Sequence, residues 1–222
     1  MTIDEIYKIV KILANKENRG WIKPSEFNLL AKRVQLDIIK DRIGKVSPDG
    51  TNNGYRDDAS IQDELRTVME ESGALSSTTS GHSLPTSYLH FISAKYNEYE
   101  IDMVNHGEIT KRKRSQLNPP SSDSPIGVII GDYLRVYISG GEFIEGTGVV
   151  KMMYIKEPTA PNWAYNTLNS VEVYNSSSSV QIALPESTHK EVIHRILAYV
   201  GVTLREKDVV EFGTSTVLEQ NK

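Results

Sequence analysis

The chain has 222 residues, of which 38% are hydrophobic and 24% charged, with a formal net charge of −4 and no cysteine. That length buries a real core. The missing cysteine excludes a disulfide scaffold, thiolate catalysis and a zinc site with cysteine ligands, and the acidic balance confines any attraction for nucleic acid to local patches.

Ile3, Ile6, Tyr7, Val10, Leu13 and Ala14 recur at spacings of three and four, which predicts an amphipathic helix over 2–15. Thr2 followed by Glu5 forms a capping box at its start. Asn15 to Gly20 break the pattern. Pro24-Ser-Glu opens a second helix, with Phe27, Leu30, Ala31, Val34, Ile38 and Ile39 on one face and Gly44 at its end. The short connection lets the two helices pack as an antiparallel hairpin. Lys45 to Ser60, rich in Gly, Asn, Asp and Pro, reads as a long exposed loop. Ile61, Leu65, Val68 and Met69 predict a third helix over 59–72, and Ser72 to Ser83 reads as mobile or extended.

From Leu84 short strands dominate. The segments 88–93, 100–104, 126–130, 133–138 and 148–156 carry β-branched and aromatic residues between Gly or Pro turns. Gly140-Gly141 predicts a hairpin between the last two, and 107–115 a short helix. Pro158 and Pro161 take the chain out of the sheet. Val180 to Leu184 reads as a short apolar strand running into Pro185. His189 to Leu204 then forms an amphipathic helix with Val192, Ile193, Ile196, Leu197 and Val200 on one stripe, Gly201 being its weak point. Residues 205–212 read as a second helical piece, and the tail 213–222 as loose or packed on a neighbour.

The expected class is α+β: a helical region over 1–72, a mainly antiparallel β region over 84–183, and a C-terminal helical region over 185–212 packing back on both as one composite domain. No apolar run reaches the roughly 18 residues of a membrane span. Met1-Thr-Ile-Asp-Glu opens on acidic helix-starting residues, so no signal peptide is expected, and the expected setting is cytoplasmic assembly without a membrane.

Chemistry-bearing motifs are sparse. His189 and His194 are five apart, whereas a metalloprotease pair needs four, so they read as solvated helix histidines. The run Gly140-Gly-Glu-Phe-Ile-Glu-Gly-Thr-Gly lacks a following Gly-Lys-Ser/Thr and a helix, and reads as a hairpin loop between strands. Acidic pairs such as Glu70-Glu71 are sequence neighbours that do not converge, and no Gly-x-Ser-x-Gly elbow exists. No catalytic residue, metal or cofactor is expected; a hydrolase would need a pocket around His82, His90, His106 or a converging carboxylate pair. Lys111, Arg112, Lys113 and Arg114 form the one strong charge run, readable as a solvated turn, a docking strip or a contact with DNA phosphates. Eleven tyrosines against four phenylalanines favour half-buried aromatic contacts at interfaces or on sheets.

Several segments together resemble a family. Ile3-Asp-Glu-Ile-Tyr, Asn15-Lys and Pro24-Ser-Glu-Phe-Asn-Leu-Leu-Ala-Lys-Arg-Val-Gln-Leu resemble the N-terminal helix pair of structural proteins in crAss-like and related short-tailed bacteriophages. Leu84-Pro-Thr-Ser-Tyr-Leu-His, Lys113-Arg-Ser-Gln-Leu-Asn-Pro-Pro, Tyr154-Ile-Lys-Glu-Pro-Thr-Ala-Pro and Leu184-Pro-Glu-Ser-Thr-His-Lys-Glu-Val-Ile are similar to the same group, so the resemblance runs from Ile3 to about Leu204. It implies a neck ring or head-to-tail adaptor in the virion, typically of twelve copies. Its partners would be the portal, adjacent neck and tail proteins and the DNA in the channel. A ring needs head-to-tail contacts. The sheet region and C-terminal helix, with Tyr154, Trp163, Tyr165 and Tyr199, are the expected inter-subunit surfaces. The alternative is a module that docks on DNA through Lys111 to Arg114.

Overall fold

Helices occupy the two ends of the sequence and strands its middle, in an α+β arrangement. The computed structural model describes residues 1–14, 22–45, 62–145, 150–169 and 171–204. The chain divides into two compact units, one formed by Met1–Val68 with Pro158–Lys222 and the other by Met69–Glu157. The first unit is therefore discontinuous, and the second is inserted into it. Residues 69–83 belong with the strands, and residues 158–183 with the helices.

In the discontinuous unit, α1 (Ile3–Ala14) begins with the expected capping box: Thr2 N donates to Glu5 Oε2 at 2.8 Å and Glu5 N to Thr2 Oγ1 at 3.3 Å. Ile3, Ile6, Tyr7, Val10 and Ala14 are buried along one stripe. Helix α2 (Pro24–Lys45) continues through Gly44 and buries Phe27, Ala31, Val34, Ile38 and Ile39. The expected loop after Lys45 lies outside the described residues, as do the expected segments beyond 204. Helix α4 (Val192, Ile193, Ile196, Leu197 and Val200 buried) spans His189–Leu204, the predicted bounds, and packs against both α1 and α2.

Two polar residues on α2, Gln35 buried and Asn28 half-buried, hold the extended chain that passes over it. Gln35, 1% exposed, donates to the Thr159 carbonyl at 3.1 Å and accepts from Ala183 N at 2.8 Å. Asn28, seven residues earlier and so on nearly the same helical face, donates to Asn162 Oδ1 at 2.8 Å and accepts from Trp163 N at 2.7 Å. The expected strand over 180–184 is reduced to a single bridge between Asn162 and Val180, because Gln35 takes the backbone group that a ladder would use. Between those bridge residues the chain makes a hairpin that the sequence reading missed, described below with its surroundings.

In the inserted unit, two sheets share one core. The first has the order β1 (Met69–Glu71), β9 (Val150–Lys156), β4 (Tyr88–Tyr96), β5 (Tyr99–Glu100). The second has the order β2 (Ser77–Thr78), β3 (Gly81–Ser83), β8 (Tyr133–Tyr137), β7 (Ile126–Ile130), β6 (Asp102–Met103). Alternate residues of β9 (Val150, Met152, Tyr154) and of β8 (Leu134, Val136) meet with Leu75, Ala94 and Ile101 in that core. The opposite face of β7 (Ile126, Val128) and Tyr137 pack on Ile109 of the short helix α3 (Ile109–Lys113). Strand β7 is thus covered on both faces, which is why Ile126-Gly-Val-Ile-Ile reads as continuous apolar sequence.

Several expectations change here. The third helix is confined, among the described residues, to 62–65, and 69–71 pair with Ile155, Tyr154 and Met153 as strand β1. Of the two readings of Ser72–Ser83, mobile or extended, the extended one holds, since Leu75 is core and β2 pairs with β3. Gly140-Gly141 do not turn a hairpin between β8 and β9, because those strands lie in different sheets. The hairpin partner of β8 is β7, through a two-residue turn in which Gly131 has φ +60. The region is mainly antiparallel, with β6 and β7 the parallel exception. Among the described residues no helix is long and apolar enough to cross a membrane.

Candidate functional site

The candidate surface is in the discontinuous unit. There β10 (Tyr165–Leu168) and β11 (Val171–Tyr174) form a two-stranded hairpin paired Tyr165 with Tyr174 through Leu168 with Val171. Asn169, with φ +50, starts the turn. Asn can take this left-handed conformation because its short amide bonds locally. Asn175 N donates to the Ala164 carbonyl at 2.9 Å, so the hydrogen-bonded pairs of the ladder are 164/175, 166/173 and 168/171. Tyr165 and Thr167 on β10, and Glu172 and Tyr174 on β11, consequently aim their backbone N–H and C=O groups outward.

One face of the hairpin is anchored. Trp163 stacks on Tyr165 and Tyr174 with centroids at 5.7 and 5.8 Å, and lies 4.4 Å from the Tyr7 ring. Its indole donates to Asp4 Oδ1 at 3.0 Å, and the Tyr7 hydroxyl donates to the Ile22 carbonyl at 3.1 Å. Burial, helped by Glu172 and Tyr165, pushes the Tyr7 phenol up to about 12, so it stays a neutral donor. The other face carries Leu168, Val171 and Val173, which are 65%, 62% and 47% exposed.

A groove of about 590 Å³ runs between this hairpin and α1. Its helical wall is Asp4, Tyr7, Lys8 and Lys11, one stripe at helical spacing, and its strand wall is Val171, Glu172, Val173 and Tyr174, with Trp163 completing the lining. Four consecutive strand residues alternate between faces, so all four line one groove only where the strand presents its edge. Lys8 pairs with Asp4 at 2.6 Å, and the formal charges of Asp4, Lys8, Lys11 and Glu172 cancel.

The expected site residues are scattered. Tyr154, 3% exposed, belongs to the core of the inserted unit, and Trp163, 5% exposed, to the anchor just described, so burial takes both from the expected inter-subunit surface. Tyr199 is half-buried, donates to Asp37 Oδ2 at 2.8 Å and lies under Arg33. Tyr165 is 42% exposed and keeps its place on the outside. Of the basic run, Arg112 pairs with Asp102 and Lys113 sits 4.6 Å over the Tyr137 ring, while Lys111 on α3 and Arg114 just after it are exposed.

The helix histidines are less solvated than expected. His189 is buried, with Nε2 3.1 Å from the Leu184 carbonyl, and His194 is half-buried. Burial holds both imidazoles below the ordinary value. His82 is 1% exposed in the inserted unit and is lowered by burial too, opposed by the Leu75 backbone. His90 and His106 are exposed. Among the described residues no three His, Asp or Glu side chains are grouped to hold a metal ion.

Sequence reasoning missed Asn28, Gln35 and the hairpin itself. The available signals were a polar residue inside the apolar stripe of α2, which burial forces to find partners, and Asn169-Ser170 between two β-rich tetrads. Compared with known proteins, the chain matches no protein-family profile and no curated protein sequence.

Proposed function

We propose that this chain is a structural subunit of a tailed-phage virion, a neck ring that joins the portal to the tail around the DNA channel, and that it acts by shape and mutual contact rather than by catalysis. The observation that carries the assembly reading is the hairpin face with Leu168, Val171 and Val173 in the open. In the ring a neighbouring subunit covers this face and takes its apolar side chains out of water. The phage assignment is supported by the order of the segments that resemble neck proteins, from Ile3 to about Leu204. Cryo-electron microscopy of purified virions tests it: repeated copies of this chain at the head-to-tail junction are expected. Its absence from virions, or a substrate turned over by the purified subunit, overturns the reading.

A second reading, contact with DNA phosphates, is favoured only by the exposure of Lys111 on α3 and of Arg114 just after it. Two phosphate contacts give a slope of about −1.8 for log K against log salt. No measurable duplex binding at low salt would exclude it.

A further inference from the structure

We infer that the groove between α1 and β11 receives strand β10 of a second copy, so that one hairpin both offers a strand edge and is offered one. The argument rests on the neck-ring reading only for the closure of the assembly; the pairing itself is read from the hairpin and groove.

Geometry makes the groove a strand acceptor. Its strand wall is an edge on which Glu172 and Tyr174 present outward backbone groups, and among the described residues no further strand covers it. Its other wall is a helical stripe. An edge beside a helix is the arrangement in which an extended segment adds to a sheet, its main chain supplying affinity and alternate side chains supplying fit. The four residues of the acceptor edge span about 13 Å.

Charge selects the occupant. The lining holds two cations and two anions, with Lys8 already bound to Asp4, so a strand bearing net charge would enter without a matching partner. Strand β10, Tyr-Asn-Thr-Leu, has no charged side chain, is exposed at all four residues, and turns the backbone of Tyr165 and Thr167 outward. Most other edges of the sheets are blunted. Strand β1 is three residues long and carries Glu70 and Glu71, and β2, β5 and β6 are two residues long. The hairpin is longer than these edges, with four paired residues on each strand, no shift in register, no lysine and no proline; its one charge is Glu172.

Donor and acceptor edges lie on opposite sides of the hairpin, so the contact is head-to-tail. Such a contact closes into a ring when its rotation allows. The occupant is antiparallel to β11 when neighbouring hairpins point the same way, extending the alternation already present.

Sedimentation velocity on the full chain over a concentration series tests the inference. Self-association is expected, weakened about tenfold or more by Thr167→Pro and by Glu172→Pro, each of which removes one outward N–H and none of the hairpin's own bonds. A labelled peptide of residues 164–169 is the second probe. The wild-type chain should bind it and should reject the same peptide N-methylated at Thr167, a result that does not depend on how the variants fold. Undiminished association of well-folded variants, or equal binding of both peptides, overturns strand addition while leaving the neck reading intact. A wild-type chain that neither associates nor binds the peptide overturns it as well. Absence of the chain from virions, with the pairing measured in solution, overturns the neck reading alone.

Discussion

Gly127 shows how tightly the inserted unit is packed. A Cβ built there would lie 2.6 Å from Ile101 Cγ2 and 3.0 Å from Met103 Sδ, so the smallest side-chain addition forces the neighbouring residues of the core to move. Overpacking of this kind costs about 2 kcal/mol. Gly127→Ala should therefore lower the urea midpoint of the full chain by a corresponding amount, with the slope unchanged. The histidines supply a second effect at this scale. Burial holds His82 and His189 below the ordinary value of 6.5, so below that pH the unfolded chain binds more protons than the native one. Their contribution is complete above 6.5 and is lost as the pH falls through the depressed values. Denaturation midpoints should drop between about pH 7.5 and about pH 5, and His82→Leu should flatten that limb. A sequence shows that a histidine exists, and on helices such as α4 it shows the face. It did not show that His189 turns back onto the Leu184 carbonyl, because the approach of Pro185 and the turn at 186–188 decide that.

Elements differ in how far they were legible. The three long helices announce themselves because each repeats an apolar stripe over several turns, and α4 has the predicted bounds. Strands β7, β8 and β9 were legible as well, from β-branched content and alternation. Residues 62–71 were not. Leu65, Val68 and Met69 keep helical spacing, yet residues 69–71 gain a ladder with β9, a tertiary partner more than eighty residues away that outweighs a weak local preference. The hairpin β10–β11 was missed because its Asn, Thr and Ser content dilutes the alternation. Ion pairing between elements was equally hidden. Arg42 on α2 binds Glu191 of α4 at 2.8 Å and also pairs with Glu64, while Arg195 binds Glu191 and Asp41 at 2.6 Å. Glu191 is 4% exposed, so removing it takes one carboxylate from each of two largely covered guanidinium groups, leaving Arg42 with Glu64 and Arg195 with Asp41. Glu191→Ala should cost about 2 kcal/mol. Replacing Arg42, Glu191 and Arg195 together by apolar residues should cost less than that single change, as a chemical-denaturation series would read.

The whole molecule is organised by where the inserted unit begins and ends. Its first strand, β1, pairs antiparallel with its last, β9, Met69 lying opposite Ile155, so the ingoing and outgoing chains run side by side. Neighbouring strands are only about 5 Å apart, so the two ends of the insert lie close together. The insert carries its own core and its own ladders. Residues 69–157 expressed alone should therefore give a cooperative melt and a β-type circular dichroism spectrum. A featureless melt would show that the insert depends on the rest of the chain. No local pattern could reveal this division, since it is fixed by one pairing across the whole insert.

That pairing also determines how the protein answers tension. A pull on residues 1 and 204 loads the helical unit first, because both points lie in it and α4 packs against α1. The insert enters the line of force only once that unit has opened, and is then drawn apart at Met69 and Glu157, beside the paired ends of two antiparallel neighbours. Hydrogen bonds between β1 and β9 then open one after another, like a zip, instead of sharing the load. The helical unit should therefore yield first, and the insert should follow at low force, lengthening the tether by nearly its full contour.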